Sequence, residues 1–339
     1  DTVLIRPGTY VEAVVVETEI TISGDGPVEE IILEAPEDGP EVPTADSDSR
    51  PAAYALSLRD SAATVSGLTL KGKVSRIHAK GGSPVLESLV LEGVDTPHDV
   101  GSTDLGGVIV SAGSRATIRD SLCEGGAGVG VFDRSEPLIT GNTLRGGASI
   151  GAYFGDGTVV RDNEISGAHF SSIGFYAPTG VLIEDNTISG SPTGIWIDPA
   201  SSDGASPLIR SNTIAGCDNG IVVGSGTAPT IEGNTLSAND VAGIELSWGA
   251  GTGLIAGNDF VDNAVGITVR QTDTHIDGNT IQGGTAGVVI HDGTPSLTSN
   301  TIEGAAEVGL SVGRGTEPIL TGNDICHNGT NLVVGTGAE

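Results

Sequence analysis

The sequence predicts an all-β fold, a right-handed single-stranded parallel β-helix of about twelve coils, on the basis of two observations. First, an Asn, one further residue and then an apolar side chain recur nine times between residues 142 and 325. The copies lie 21 to 26 residues apart and begin at Asn142, Asn163, Asn186, Asn212, Asn234, Asn258, Asn279, Asn300 and Asn323. Second, the segments between them are short, apolar and alternating, without a helical period. A fixed period of this length is typical of a solenoid.

Three short apolar segments make up each repeat: one before the Asn, one just after it and one after a Gly. The third segment reads Gly194-Ile-Trp-Ile in one repeat and Gly243-Ile-Glu-Leu in another. Alternation of this kind is typical of strands with one buried face. No ten-residue helical pattern lies between the strands, so they cannot be joined as βαβ units. We therefore expect each strand to pair with its equivalent in the next coil.

The repeated Asn residues are predicted to form an internal ladder. Equivalent residues in stacked coils lie about 4.8 Å apart, so each side-chain amide can bond the amides above and below it. The alternative, that Asn-Thr only marks exposed turns, does not explain why the same apolar frame persists through nine copies. Before residue 120 the ladder weakens, and we assign the Asn position there to Gly67, Ser88 and Asp120.

Variable coil length distinguishes this repeat from other solenoids. The Leu-x-x-Leu-x-Leu frame and the calcium-binding Gly-Gly-x-Gly-x-Asp nonapeptide are missing, and the variation disfavours a strict hexapeptide left-handed helix. The repeat resembles that of the carbohydrate-binding and sugar-hydrolysis domains of the pectate-lyase-like β-helix superfamily. Its opening Asp1-Thr-Val-Leu-Ile-Arg-Pro-Gly-Thr-Tyr-Val-Glu also resembles the first coils of those proteins and of pectin methylesterases. The resemblance covers nearly the whole chain but rests on structural motifs, so it implies the fold and little about function.

The continuous repeat predicts one β-helix domain over residues 1–339. Segments 35–52 and 94–105 lack the apolar period and are expected to be loop excursions. A solenoid needs polar caps over its edge strands, and neither end of the sequence shows one. We therefore expect the chain to be part of a longer protein, or to have a partner over its ends.

Charge restricts the partners. The net charge is −29, from 44 acidic and 15 basic residues, so nucleic acid is not an expected partner. No apolar run is long enough to predict a membrane span. An acid-rich surface with only three Lys favours an extracellular, cell-surface or high-salt setting, and the compartment stays undetermined.

Metal and cofactor signals are weak. Cys123, Cys217 and Cys326 are odd in number and far apart, so we expect no disulfide framework and three buried apolar side chains. The six His residues form no pair at metal-ligand spacing, so no structural zinc and no cofactor are predicted. Asp46 and Asp48 leave calcium open, although a solvated loop is the favoured interpretation.

A basic cluster reverses the sign of the charge locally. All three Lys residues, Lys71, Lys73 and Lys80, lie within ten positions, together with Arg76 and His78. Two interpretations stay open: ion pairing with acidic neighbouring coils, or a binding spot for an anion or a carboxylated sugar.

An aromatic row is predicted on the outer face of the Gly-led strands. Alternation places one column of residues outward, namely Gly130, Tyr153, Tyr176, Trp196, Val222, Glu245, Thr268, Val289 and Ser311. Tyr153, Tyr176 and Trp196 would then lie on three consecutive coils. Such rings can form a platform for apolar sugar faces, or a stack that only stabilises the sheet. Longer turns follow Trp196 and Glu245, the second of them containing Trp248, and are expected to form the walls of a groove.

Candidate acid-base residues occupy the next outward column. It carries Asp198, Ser247, Arg270 and His291, with Glu245 diagonally beside Arg270. An acid, a permanent cation and an imidazole on one rigid face can do acid-base work on a sugar ring. Most outward polar residues of a β-helix are nevertheless plain surface.

Enzyme signatures of related families are incomplete in this chain. Trp196-Ile-Asp198 resembles the Trp-Ile-Asp-His strand of pectate lyases, but Pro199 replaces the His. Residues 96–99, Thr-Pro-His-Asp, partly resemble the Asp-Pro-His motif of alginate epimerases. The signatures of pectin methylesterases and polygalacturonases are missing. We therefore predict a glycan-recognising β-helix module and leave polysaccharide hydrolase or lyase activity open. The alternative is a non-catalytic scaffold that binds a protein partner or acts as a spacer.

Overall fold

The computed structural model describes residues 1–36, 54–72, 76–93, 107–176, 178–198, 206–247 and 249–335. The chain divides into two compact units, Asp1–Ser172 (unit 1) and Ile173–Glu339 (unit 2). The predictions for Asp46, Asp48, Lys73, Trp248 and residues 96–99 fall outside the described residues. The expectation of one domain over the whole chain stays a prediction.

Unit 1 is built from short strands and one 3-10 turn at Val28–Glu30. Its strands are β1 Thr2–Ile5, β2 Gly8–Val11, β3 Val14–Val16, β4 Thr21–Gly24, β5 Ile31–Glu34, β6 Leu56–Arg59, β7 Thr64–Ser66, β8 Thr69–Lys71, β9 Ile77–Lys80, β10 Val85–Glu87, β11 Val90–Glu92, β12 Val108–Ser111, β13 Thr117–Arg119, β14 Leu122–Glu124, β15 Val129–Val131, β16 Leu138–Thr140, β17 Thr143–Gly147, β18 Ile150–Tyr153, β19 Val159–Arg161 and β20 Glu164–Ala168. The next strand, β21 Ser171–Tyr176, contains the boundary between the units.

Each strand of unit 1 pairs in parallel with the strand three places further along the chain. The first sheet has the order β1-β4-β7-β10-β13-β16-β19, the second β2-β5-β8-β11-β14-β17-β20 and the third β3-β6-β9-β12-β15-β18. Each sheet thus takes one strand from each turn of the chain, which is the arrangement of a parallel β-helix.

Unit 2 repeats this plan. Its strands are β22 Leu182–Glu184, β23 Thr187–Ser189, β24 Thr193–Asp198, β25 Leu208–Arg210, β26 Thr213–Ala215, β27 Asn219–Val223, β28 Thr230–Glu232, β29 Thr235–Ser237, β30 Ala242–Leu246, β31 Leu254–Ala256, β32 Asp259–Val261, β33 Val265–Val269, β34 His275–Asp277, β35 Thr280–Gln282, β36 Ala286–Ile290, β37 Ser296–Thr298, β38 Thr301–Glu303, β39 Val308–Val312, β40 Ile319–Thr321, β41 Asp324–Cys326 and β42 Thr330–Val334. Its three sheets begin at β22, β23 and β24 and again take every third strand.

The predicted fold class is confirmed: the described strands form all-β parallel solenoid coils with three sheets. Strands β1–β21 make seven coils and β22–β42 seven more, slightly more than the about twelve expected.

The Asn ladder is also confirmed. In unit 2 the Oδ1 of Asn258 accepts from the backbone N–H and the Nδ2 of Asn234, both at 2.9 Å. The same pair of bonds links each successive Asn from Asn186 to Asn323. In unit 1 Asn142 bonds Asn163 in this way, at 3.0 Å. Each amide thereby satisfies buried donors of the coil before it.

The assignment of Gly67, Ser88 and Asp120 to the ladder is wrong by one residue. Ser121 takes that position, because its backbone N–H donates to Asn142 Oδ1 at 3.1 Å. Asp120 lies in the left-handed bend just before it, with φ 51°. Gly, Ser and Asp are all accepted at such a bend, so residue type alone pointed to the neighbouring column.

A second, shorter set of Asn bonds was missed by sequence analysis. Asn239 donates through its backbone N–H and its Nδ2 to Asn263 Oδ1, at 3.1 and 2.7 Å. The backbone N–H of Cys217 donates to Asn239 Oδ1 at 3.0 Å. Only part of the coils carry Asn here, so the repeat in the sequence is too sparse to detect.

Buried aliphatic side chains fill the inside of each unit, one from the middle of nearly every strand. The Gly that leads the third strand of a coil has a packing role. A Cβ at Gly243 would lie 2.7 Å from the Gly266 carbonyl oxygen and 2.7 Å from Phe260 Cδ1. This column therefore needs Gly for the close approach of successive coils. Within the described residues, no helix is long and apolar enough to cross a membrane.

Candidate functional site

The third sheet of unit 2 brings most of the predicted site residues together. Register pairs Trp196 with Val222, Val222 with Glu245, Glu245 with Thr268 and Thr268 with Val289. The column predicted for Trp196 and Glu245 is therefore correct in this unit. Trp196 and Glu245 are both partly exposed, and each lies between two buried neighbours, so both side chains are on the outer face.

The second outward column of unit 2 is also in the predicted order. It follows directly after the paired residues Ile197, Val223, Leu246, Val269 and Ile290. The column thus reads Asp198, Gly224, Ser247, Arg270 and His291. A Cβ at Gly224 would lie 2.3 Å from Asp198 Oδ1, so the Asp198 side chain extends over the next coil.

Tyr153 does not continue the column of Gly130. In unit 1 the register pairs Gly130 with Gly151, which places Tyr153 two residues further along the strand. There its ring stacks on Phe132, with centroids 5.9 Å apart and planes at 2°. The predicted column treats Gly151 as the Gly that leads the strand, whereas Ser149 holds that position, before inward Ile150.

Tyr176 lies at the end of its strand. It is the last residue of β21 and follows buried Phe175, as Asp198 is the last residue of β24 and follows buried Ile197. Trp196 comes two residues before the end of its own strand. By its position in the strand Tyr176 therefore corresponds to Asp198 rather than to Trp196, and the row of three aromatic rings stays a prediction.

The predicted acid-base residues Glu245, Arg270 and His291 lie on three successive coils of unit 2. Arg270 Nε donates to Glu245 Oε1 at 3.4 Å, and the two side chains are 33% and 24% exposed. His291 is exposed and lies one coil beyond Arg270. Desolvation, with the positive charge of Arg270, lowers the pKa of His291, while Glu245 opposes this shift. Near pH 7 the imidazole is therefore neutral and able to accept a proton.

Asp198 differs from these residues in its environment. Partial burial raises the pKa of its carboxyl group, because desolvation disfavours the charged form. The site thus offers a carboxyl shifted toward the protonated form, a neutral imidazole and a cation paired with a carboxylate. Singly, these groups can donate a proton, accept one or stabilise developing negative charge. Asp198 and His291 are four coils apart, about 19 Å.

A second outward column, in the third sheet of unit 1, was not predicted. Register pairs Arg59 with Lys80 and Lys80 with Ser111, and the column continues to Phe132 and Tyr153. It combines two cations with two stacked aromatic rings. The signal in the sequence was the 21-residue separation of Phe132 and Tyr153, equal to one coil.

The predicted basic cluster is divided between sheets. Lys71 lies in the second sheet of unit 1 and its Nζ is 2.7 Å from Glu92 Oε2. Arg76 is 1% exposed and donates to the Gly72 carbonyl at 2.6 Å. Lys80 lies beside Arg59 on the outer face of the third sheet. Ion pairing therefore describes Lys71, whereas an anion-binding role for the rest of the cluster stays a prediction.

His78 is a buried histidine in the same sheet. It is 3% exposed, its Nε2 lies 2.8 Å from Ser111 Oγ, and its ring stacks on Tyr54 at 4.9 Å. Burial, with the charges of Lys80 and Arg59, lowers its pKa from 6.5 to about 4. The unfolded chain therefore binds a proton at pH 4 to 6.5 that the folded protein excludes.

This shift predicts acid sensitivity. As pH falls from 6.5 to about 4, protonation of His78 in the unfolded state should lower the free energy of unfolding by about 3 kcal/mol. Above pH 6.5 there is no such loss. Replacing His78 with Gln should flatten the curve of stability against pH by this amount, measured by urea unfolding at several pH values.

His275 supplies the control. It is exposed and its Nδ1 contacts Ser296 Oγ at 2.6 Å, so His275→Gln should leave the curve parallel to that of the wild type. Parallel curves for wild type and His78→Gln would contradict the assignment.

A family model described as "Right handed beta helix region" matches residues 54–202, 128–281 and 172–325. These overlapping matches cover more than half of the chain. The protein therefore belongs to the right-handed β-helix family, which also confirms the predicted handedness. No curated protein sequence matches the chain significantly.

Solved structures show the same fold at low identity. The periplasmic alginate epimerase AlgG is 15% identical, with a TM-score of 0.63 over 96% of this chain and 78% of that one. A PL6 alginate lyase in complex with a trisaccharide is 12% identical, with a TM-score of 0.53 over 100% and 82%. The catalytic unit of a GH87 α-1,3-glucanase from Streptomyces thermodiastaticus strain HF3-3 is 12% identical, with a TM-score of 0.52 over 99% and 64%.

Proposed function

We propose that this protein binds a polysaccharide on the outer face of the third sheet of unit 2 and acts on it as a hydrolase or lyase. One observation carries the proposal: Trp196, Glu245, Arg270 and His291 lie on one face of the third sheet, in or directly after β24, β30, β33 and β36. The similarity to proteins whose names state that they act on alginate or α-1,3-glucan supports the same substrate class.

The sheet suits an extended, repeating ligand. Its strands follow one another at about 4.8 Å, so a sugar chain that lies along the stacking direction can contact side chains of several coils in succession. Trp196 supplies an apolar surface for one ring, and the polar residues of the following coils bond its neighbours. Because the strands are held by ladders of hydrogen bonds, these side chains are positioned before the ligand arrives.

Each polar residue has a role that matches its environment. Asp198, with its raised pKa, is the proposed general acid. Glu245, two coils from Asp198, is the proposed general base, and Arg270 stabilises negative charge that develops on the sugar. The neutral imidazole of His291 lies four coils from Asp198, about 19 Å, and is proposed to bond a neighbouring sugar ring. Asp198 and Glu245 are two coils apart, about 9.6 Å along the strands' stacking direction. This is near the upper end of the separation in inverting glycosidases, about 6.5 to 9.5 Å.

Replacing Trp196 with Ala is expected to weaken oligosaccharide binding about tenfold or more, since removing a buried aromatic contact costs on the order of 1 to 2 kcal/mol. Isothermal titration with an oligouronate series and a neutral α-glucan series would measure this. Phe170→Ala is the control, because Phe170 is an exposed aromatic residue of unit 1. Its affinity should equal that of the wild type. If no glycan of either series binds the wild type, the proposal fails and the scaffold alternative is favoured.

A further inference from the structure

We propose that Glu303, Cys326 and His327 form a zinc-binding site on the outer surface of the second sheet of unit 2. A carboxylate oxygen, the thiol sulfur and a ring nitrogen of these residues all lie within 4.8 Å of one another. Among the described residues this is the group of three with metal-ligand chemistry that comes closest together.

The fold brings these residues together from different coils. Register pairs Glu303 at the end of β38 with Cys326 at the end of β41, so their side chains are neighbours on one face. His327 follows in a left-handed bend, with φ 57°, and its Nδ1 lies 3.2 Å from Cys326 Sγ. The bend lets two consecutive residues direct their side chains to one point.

A neighbouring side chain orients the carboxylate. Gln282, one coil before Glu303, donates from Nε2 to Glu303 Oε1 at 2.8 Å. Such a bond to a ligating group fixes its direction and is a common feature of metal sites. The other carboxylate oxygen of Glu303 keeps its lone pairs for a cation.

The donor set selects the metal. Thiolate, imidazole and carboxylate suit Zn²⁺, whose bonds to S, N and O are about 2.0 to 2.3 Å long. A soft sulfur ligand disfavours Ca²⁺ and Mg²⁺, which prefer oxygen alone. Three protein ligands leave a fourth tetrahedral position for water or another small ligand.

Cys326 thus differs from the other two cysteines and from its sequence prediction. Cys123 and Cys217 are buried, as expected, whereas Cys326 is only partly buried. Its partner Glu303 is 23 residues away, and His327 is adjacent in sequence rather than at a usual metal-ligand spacing. A search by spacing therefore could not find this group.

The test is a titration of the full chain with Zn²⁺ and with Co²⁺, with cysteines kept reduced by a non-chelating phosphine. We expect one equivalent to bind, and Co²⁺ to give the thiolate charge-transfer absorption of a sulfur ligand. Cys326→Ser should abolish that absorption, and both Cys326→Ser and His327→Ala should weaken zinc binding at least tenfold.

His275→Ala is the matched control, since His275 is exposed on the first sheet of the same unit, away from these ligands. It should bind zinc as the wild type does. Circular dichroism spectra of all variants should be alike, because the three ligands are on the surface. Absence of zinc binding in the wild type, or binding by Cys326→Ser and His327→Ala as tight as that of the wild type, would overturn the proposal.

Discussion

Replacing Asn258 with Ala is expected to destabilise unit 2 by about 3 to 5 kcal/mol. Asn258 is fully buried and its Oδ1 accepts two bonds from Asn234. Its Nδ2 donates to Asn279 Oδ1 and to the carbonyls of Ile231 and Ala256. Ala removes all of these partners at once, and each buried group left without one costs about 1 to 3 kcal/mol. Urea unfolding followed by circular dichroism measures the loss.

Asn323 is the matched control at the last rung of the ladder. It makes the same bonds to Asn300 but is only partly buried, so water can replace the lost amide. Asn323→Ala should therefore cost clearly less than Asn258→Ala. An equal loss for both variants, or a loss under about 1 kcal/mol for Asn258→Ala, would show that the ladder contributes little to stability.

Replacing Glu245 with Gln is expected to lower turnover by about 100-fold or more, measured on the polysaccharide whose oligosaccharides bind the wild type. The amide keeps the shape of the side chain but removes the negative charge beside Arg270. The positive charge of Arg270 is then no longer compensated near His291, so protonation of that imidazole becomes less favourable. Reducing-end release and ultraviolet absorption of unsaturated products would distinguish hydrolysis from elimination.

Glu232→Gln is the control for this variant. Glu232 lies on the first sheet of unit 2, at the end of β28, outside the proposed site. Its activity should match that of the wild type, and both variants should unfold at the same urea concentration as the wild type. Full activity in Glu245→Gln would remove the catalytic assignment while leaving the binding surface of Trp196 to be judged by titration.

The repeat made the coil predictable because both of its signals are local. An Asn at a fixed place in each coil and an apolar residue two positions later indicate an internal ladder beside an inward strand residue, and both features are found. Where several residue types satisfy the same backbone demand, the prediction failed. Asp120 and Ser121 differ by one position, and only the hydrogen bond to Asn142 shows which of them belongs to the ladder.

The candidate site was predictable only where the coils are regular. From β24 to β39, every strand of the third sheet has a Gly as its second residue. The columns of Glu245, Arg270 and His291 are in the expected order. In the coil of Tyr153, Ser149 occupies the position of the strand-leading Gly, and Gly151 follows two residues later. The prediction therefore shifts Tyr153 by two positions from its neighbours in the sheet. The partner of Tyr153 is Phe132, which the predicted column omitted.

The sequence by itself determined the class of fold, the strands and the residues that point inward, because alternation and the Asn repeat are properties of a single coil. Only the tertiary structure decided which outward side chains are neighbours, including Phe132 with Tyr153 and Glu303 with Cys326. The physical reason is that the turns between strands differ in length from coil to coil while the strands stay paired. The register therefore depends on the hydrogen bonds from one coil to the next rather than on separation along the chain.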